Sequence, residues 1–300
     1  MSKLNLSSWS EKTPMPLPRA GCAVTAWNGK LLVAGGTLWA ADKKLWSERV
    51  DAFDPATNRW DPLPALPAPH GDAACVEVKG TVYILGGGRD GAIADTAWSF
   101  RHGAWQAEPA MVLPAPRKSI AAAVVGDTIF LLGGYQPPVD GAPASSKVWA
   151  WTLGAKRWEE RAPLPGHART NPAVAAIAGQ IYAAGGVSHE QGKLQNLDDI
   201  LKYDPEADRW STVGKLPFPN RAASGVTVGG QLIVIGGYDT QFETAVCAFD
   251  PASGETLPLG PIPHALADSR FAVVGRTILG VGGECGVKMR APWTISAQAI

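Results

Sequence analysis

The sequence is short of the features that usually assign a chain to a class at once. Only 18% of its 300 residues are charged, and 27 Lys+Arg balance 27 Asp+Glu. With no excess of either sign there is no electrostatic footprint for nucleic acid or for an anionic membrane surface. Cysteine is scarce: Cys22, Cys75, Cys247 and Cys285 stand far apart with no CxxC spacing, which argues against a disulfide framework. Three of them, Cys22, Cys75 and Cys247, lie in apolar strand patterns and are expected as buried, reduced thiols. No apolar run approaches the roughly 18 residues of a membrane span. The opening MSKLNLSSWSEK lacks the apolar core of a signal peptide. No GxSxG, Ser-His-Asp grouping or phosphate loop is visible. The expectation is a cytoplasmic protein without metal or cofactor, whose partners include neither nucleic acid nor membrane.

Glycine and proline, in contrast, are plentiful, at 34 and 25 residues, and they recur at regular intervals between apolar runs rather than in disordered tracts. Six segments share one pattern, a short and largely β-branched run ending in two glycines: KLLVAGGT, TVYILGGG, TIFLLGGY, QIYAAGGV, QLIVIGGY and TILGVGGE. Their first glycines, Gly35, Gly86, Gly133, Gly185, Gly236 and Gly282, follow one another at intervals of 46 to 52 residues. A period of this length means an array of like units.

Each unit reads as four strands. In the first, residues 20–26 form one strand, Asn28-Gly29 a hairpin turn, and Lys30–Ala34 the next. A loop follows the doublet, then third strands at 49–53, 96–100, 147–152, 200–203 and 245–249. A tight turn, often Asp-Pro, leads to a fourth strand with a tryptophan: Trp60, Trp105, Trp158 and Trp210, with Leu257 expected in that place in the fifth unit. The last unit stops after three strands, and the missing one is found at the other end, around Trp9. A ring closed by joining the two ends accounts for both and protects sheet edges.

The glycine doublets, the tryptophan about 19–25 residues later, and connectors such as Pro18-Arg19 and Pro116-Arg117 resemble the kelch repeat. The resemblance covers essentially the whole chain. It implies an all-β, six-bladed kelch-type β-propeller over 1–300, four antiparallel strands per blade, closed by the N-terminal strand. Blades are expected at 19–62, 70–107, 117–160, 169–212, 221–258, and 269–300 with 4–11. It does not imply a chemistry. The doublets themselves are read as structural, because no helix N-terminus follows them to cradle a phosphate.

Function is therefore sought on loops. Antiparallel strands bring the connector ends and the post-glycine loops to one face. Arg19, Arg117, Arg169, Arg221 and Arg270, with His70 in the second unit, are expected to ring its funnel and to receive a carboxylate or phosphate. Trp39, Trp46, Tyr135, Tyr238 and Phe242 add aromatic platforms, and the long loop 187–199 with His189 is a candidate cover. Two partners suit such a face: a small anionic, sugar-like ligand, or an acidic peptide gripped by an interaction scaffold. The sixth loop, GGECGVKMRAPW, is similar to a Gly-Glu…Arg segment of bacterial N-acetylneuraminate epimerases (sialic acid mutarotases), themselves kelch propellers. That resemblance implies an isomerase in which Glu284 shuttles the proton and Arg290 clamps the carboxylate. The histidines, tyrosines and Cys285 match no copper-oxidase spacing, so no metal is expected.

Overall fold

Turn residues and apolar runs divide the chain as the repeat predicts. The computed structural model describes residues 6–137, 143–190 and 192–298. They form six four-stranded antiparallel sheets, the blades of a propeller, with one short 3₁₀ turn at Pro109–Met111. Blade 1 runs from the axis outward through Ala23–Trp27, Lys30–Ala34, Val50–Asp54 and Arg59–Leu63. The innermost strands of the others are Ala74–Val78, Ala121–Val125, Ala173–Ile177, Ser224–Val228 and Arg270–Val274. Each packs on the next, and the sixth on the first. The N-terminal strand Ser10–Lys12 pairs with Thr294–Gln298 as the outermost strand of blade 6, so the ring closes by hydrogen bonds between the two ends. Positions 4 and 5 of the expected closing segment, and 299–300 of the sixth blade, lie outside the described residues. The core is six apolar clusters, one between each pair of neighbouring blades.

The glycine doublet now has a mechanical reason. At Gly133 (φ +65°) an added Cβ would run into the backbone carbonyl of Arg169 in the next blade, and the N–H of Gly134 donates to that same carbonyl at 3.1 Å. The same pattern repeats around the ring, from Gly36 donating to His70 O (2.7 Å) to Gly283 donating to Arg19 O (3.0 Å). Only glycine permits both the positive φ and the close approach.

The tryptophans are cross-blade braces. The indole N–H of Trp60, Trp105, Trp158, Trp210 and Trp9 donates to the connector carbonyl of Thr13, Pro64, Met111, Ala162 and Gly260 respectively. In blade 5 the register corrects the expectation for Leu257. Phe249 stands opposite Thr256, as Phe53 stands opposite Trp60, and the Thr256 hydroxyl donates to Lys215 O at 2.8 Å. Leu257 faces solvent instead.

A second ring encircles the axis. Gly21, Asp72, Ser119, Asn171, Ala222 and Asp268, two residues before each innermost strand or close to it, all have φ between 51° and 61°. Their backbones link in series: Asp72 N–H to Gly21 O, Ser119 to Asp72, Asn171 to Ser119, Ala222 to Asn171 and Asp268 to Ala222, at 2.7–3.3 Å. This chain of peptide groups frames the channel mouth.

Candidate functional site

The face with the connector ends also carries the post-glycine segments, because residues 20, 71, 118, 170, 221 and 267 each bridge to the residue after a doublet. Several of these segments are hairpins rather than loops: Thr37–Ala40 with Lys43–Trp46, Val187–Glu190 with Lys193–Asn196, and Glu284–Gly286 with Met289–Arg290. The expected loop cover at 187–199 is thus a β-hairpin turning at Gly192. In the centre is a channel with room for about 130 Å³, walled by small and apolar side chains such as Cys22, Val24, Cys75, Ile120 and Pro172, with Arg270 as its charged lining residue. Burial pushes the Cys22 thiol up to about 11 and raises that of Cys75 also, which makes both inert as nucleophiles. Ligand sites for sugar-sized molecules occupy ≈300–1,000 Å³. The channel itself is smaller than such a site.

The expected ring of five arginines and a histidine does not form as a ligand surface, and the reason is register. Counting 16 residues back from the first glycine of a doublet gives a bracing position, and in blades 1, 2, 4 and 5 its side chain reaches that glycine's carbonyl. Arg19 donates to Gly35 O (2.8 Å) and to Asp51 (2.8 Å), with both charges fully buried. Arg169 donates to Gly185 O and forks onto both oxygens of Asp199 at 2.8 Å. His70 bonds Gly86 O and packs edge-on against Trp98; burial lowers its pKa, so it stays neutral. Arg117 is buried over the Trp149 ring and bonds Ser145. These four side chains each brace their own blade.

Arg221 and Arg270 are elsewhere. In blade 5 the bracing position is Asn220, whose Nδ2 donates to Gly236 O and whose Oδ1 accepts from the Tyr238 N–H, both at 2.9 Å. Arg221, one residue later, is half-buried on the face. It donates to Asn196 Oδ1 at 2.8 Å and lies over the Tyr238 ring, 4.6 Å from its centroid. Among the described residues no carboxylate forms an ion pair with it; Asp239 is reached only through the Asn196 amide. Around Arg221 stand Tyr238, edge-on to Phe242, and Tyr135, edge-on to His189. Burial raises the Tyr135 pKa while the charge of Arg221 opposes the shift, which sets the two side chains within electrostatic reach across two blades. Arg270 is paired with Asp268 at 2.9 Å.

On the opposite side of the mouth, Arg290 bonds Glu284 (3.0 Å) and the backbone and hydroxyl of Thr37 in blade 1, with 5% of its side chain exposed. It anchors the sixth hairpin and orients Glu284, which is 39% exposed. Trp39 is capped by Lys288, which also pairs with Asp42, and Trp46 is covered by Lys44. Residues that the repeat did not single out are Asn196, Asp72 and Asp268. The two aspartates had a signal, since short polar residues tolerant of positive φ recur at that step of the repeat.

Two family models match the chain: a kelch-repeats domain of the KLHDC2/KLHL20/DRC7 type over residues 1–134, and N-acetylneuraminate epimerase over residues 113–255. Kelch-like protein terF of Aspergillus terreus is 28% identical over 244 residues, covering 77% of this chain and 52% of that protein. An N-acetylneuraminate epimerase of Haemophilus influenzae is 28% identical over 181 residues, covering 46% of this chain and 47% of that protein. The chain spans about half or less of the length of these curated relatives. The solved structure of YjhT superposes with a TM-score of 0.80 over 96% of this chain and 100% of that one, at 13% identity, a likeness of fold. Repeat, architecture and matches agree on a six-bladed β-propeller that is similar to kelch-repeat proteins.

Proposed function

We propose that the face around the channel mouth binds a small anionic, sugar-like ligand, with Arg221 as the anchor for its carboxylate. One observation carries this reading. Of the arginines expected there, Arg221 alone is reachable from solvent and without a carboxylate of its own among the described residues. A guanidinium held in place by a neutral amide and a ring is oriented but not neutralised, which suits bidentate capture of a carboxylate or phosphate. Tyr135, Tyr238 and His189 give the surface on which a sugar ring stacks. Four free cysteines suit a reducing cytoplasm.

A second reading, isomerisation of an acidic sugar, is favoured by the epimerase model, whose matched span contains Tyr135, His189, Arg221 and Tyr238. Exchange of anomers needs a group that takes the proton of the anomeric hydroxyl while the ring oxygen is protonated and the ring opens. In this reading Glu284 is that group and Arg290, already bonded to Thr37, positions it rather than clamping the ligand.

A thermal-shift panel tests both. N-acetylneuraminate, glucuronate and a sugar phosphate are expected to raise Tm by several degrees near a hundredfold excess over Kd, neutral sugars not, and Arg221→Ala to lose the shift. Glu284→Gln retaining the shift while slowing anomer exchange by NMR supports the isomerase. Silence from every sugar with a shift from an acidic peptide overturns the reading in favour of an interaction scaffold.

A further inference from the structure

Two carboxylates meet where the ring of peptide groups passes blade 1. Gly21 has no side chain, and a Cβ placed on it would collide with Asp72 Oδ1 and stand 3.3 Å from Asp268 Oδ2. The two aspartates, from blades 2 and 6, thus lean from opposite sides into the space left above Gly21. Their backbones are fixed there. Asp72 donates its N–H to Gly21 O (2.8 Å) and Asp268 to Ala222 O (2.9 Å), at φ of 57° and 52°. The carbonyl that holds Asp268 belongs to the residue following Arg221.

The charges around the pair do not balance it. Arg270 bonds Asp268 at 2.9 Å. Glu284 and Arg290 of the sixth hairpin face it and are bonded to each other at 3.0 Å. From blade 1, the Cys22 thiol lies beneath, and Arg19 beyond it is paired with Asp51. From the connector of blade 2, His70 faces Asp72, and its burial lowers the pKa of its ring. One available cation therefore faces two carboxylates whose oxygens converge on one point above Gly21, and like charges so placed in a partly dry site favour holding one proton between them.

We propose that Asp72 and Asp268 share one proton across Gly21, so that pH sets the charge that the channel mouth presents to an anion. In accord with this geometry, burial pushes the Asp268 carboxyl up to about 6; Arg270 and Arg290 oppose the shift, and Asp72 and Glu284 add to it. The consequence for a ligand rests on the anion-binding reading above; the proton itself does not.

The sign follows from the raised value. The shared proton stabilises the folded protein fully below the ordinary carboxylate pKa of about 4, and this contribution is lost as pH rises through about 6. Urea denaturation of the ligand-free protein between pH 4.5 and 7.5 is the direct test. His70, with its lowered pKa, adds a slope of the opposite sign that wild type and variants share. Against that common slope the wild type is expected to lose midpoint concentration as pH rises through about 6, and Asp268→Asn and Asp72→Asn to lack that loss; asparagine keeps the shape and accepts the same φ. In parallel, calorimetric titration of sodium glucuronate is expected to show binding weakening about fivefold over the same range in the wild type, from one added negative charge at the mouth, and not in Asp268→Asn. A wild-type stability profile that neither aspartate variant alters overturns the proposal, whatever glucuronate does. Altered profiles together with glucuronate affinity that ignores pH overturn the link between the proton and the ligand. Altered profiles without glucuronate binding at any pH support the shared proton and overturn the anion-binding reading alone.

Discussion

Blades 4 and 5 place an arginine at neighbouring steps of the same repeat, and one residue of offset gives the two opposite fates. Arg169 stands 16 residues before Gly185, reaches that glycine's carbonyl and forks onto Asp199 inside the protein. Arg221 stands one step later, because Asn220 has taken the bracing position in blade 5 and bonds Gly236 O. The connector backbone turns between these steps, so the side chain at the first points into the blade and that at the second onto the face. Residue type alone therefore says little about role in this fold. What decides is whether the charge is balanced: Asp199 neutralises Arg169, whereas among the described residues Arg221 has only an amide and a ring.

The contrast is open to attack from several sides. Arg169→Ala removes the brace and leaves Asp199 and a buried carbonyl without their donor; with Asp199 a quarter exposed, a loss of about 3 kcal/mol is expected in chemical denaturation. Asn220→Ala is expected to cost about 1–3 kcal/mol, since it strands one buried acceptor, Gly236 O, while the Tyr238 N–H keeps its bond to Arg221 O. The Thr256→Val variant, which deletes the hydroxyl that stands in for a tryptophan brace, is expected to cost about 1 kcal/mol, the worth of one exposed hydrogen bond. Arg221→Ala is expected to cost about 1 kcal/mol, the worth of its amide and ring contacts, while abolishing the ligand-induced shift. If Arg221→Ala instead proves as damaging to stability as Arg169→Ala, the distinction between the two steps is wrong.

Much of the fold was legible because the repeat is enforced by sterics. A doublet in which one glycine must avoid the next blade's carbonyl and the other must donate to it tolerates no substitute, so six doublets announce six blades. The turn at Asn28-Gly29, with φ of 49° and 73°, likewise wrote itself into the sequence. Closure at Ser10–Lys12 was legible as the one missing strand. The site was harder. The alignment of Arg221 with Arg169 followed their shared place near the connector end, and only counting back from the doublet separates them. Leu257 was mistaken for the tryptophan position for the same reason, with Thr256 one residue away. Hairpin 187–196 hid its pairing because its strands are short and largely polar. The meeting of Asp72 with Asp268 depends on ring closure, which sets the sixth blade beside the first so that both aspartates reach Gly21, and no local pattern encodes it.

The central claim is that Arg221 is an unneutralised cation waiting for a ligand's carboxylate. Isothermal titration of an acidic sugar and of its methyl ester into wild type and Arg221→Ala tests it most directly, because the ester alters the ligand's charge while leaving the ring that stacks on Tyr135 and Tyr238. The wild type is expected to prefer the free acid by about tenfold or more, the 1.5–3 kcal/mol typical of a charge-assisted hydrogen bond, and Arg221→Ala to bind acid and ester alike. Equal affinity for acid and ester in the wild type, or a preference for the acid that survives the loss of Arg221, would contradict the account.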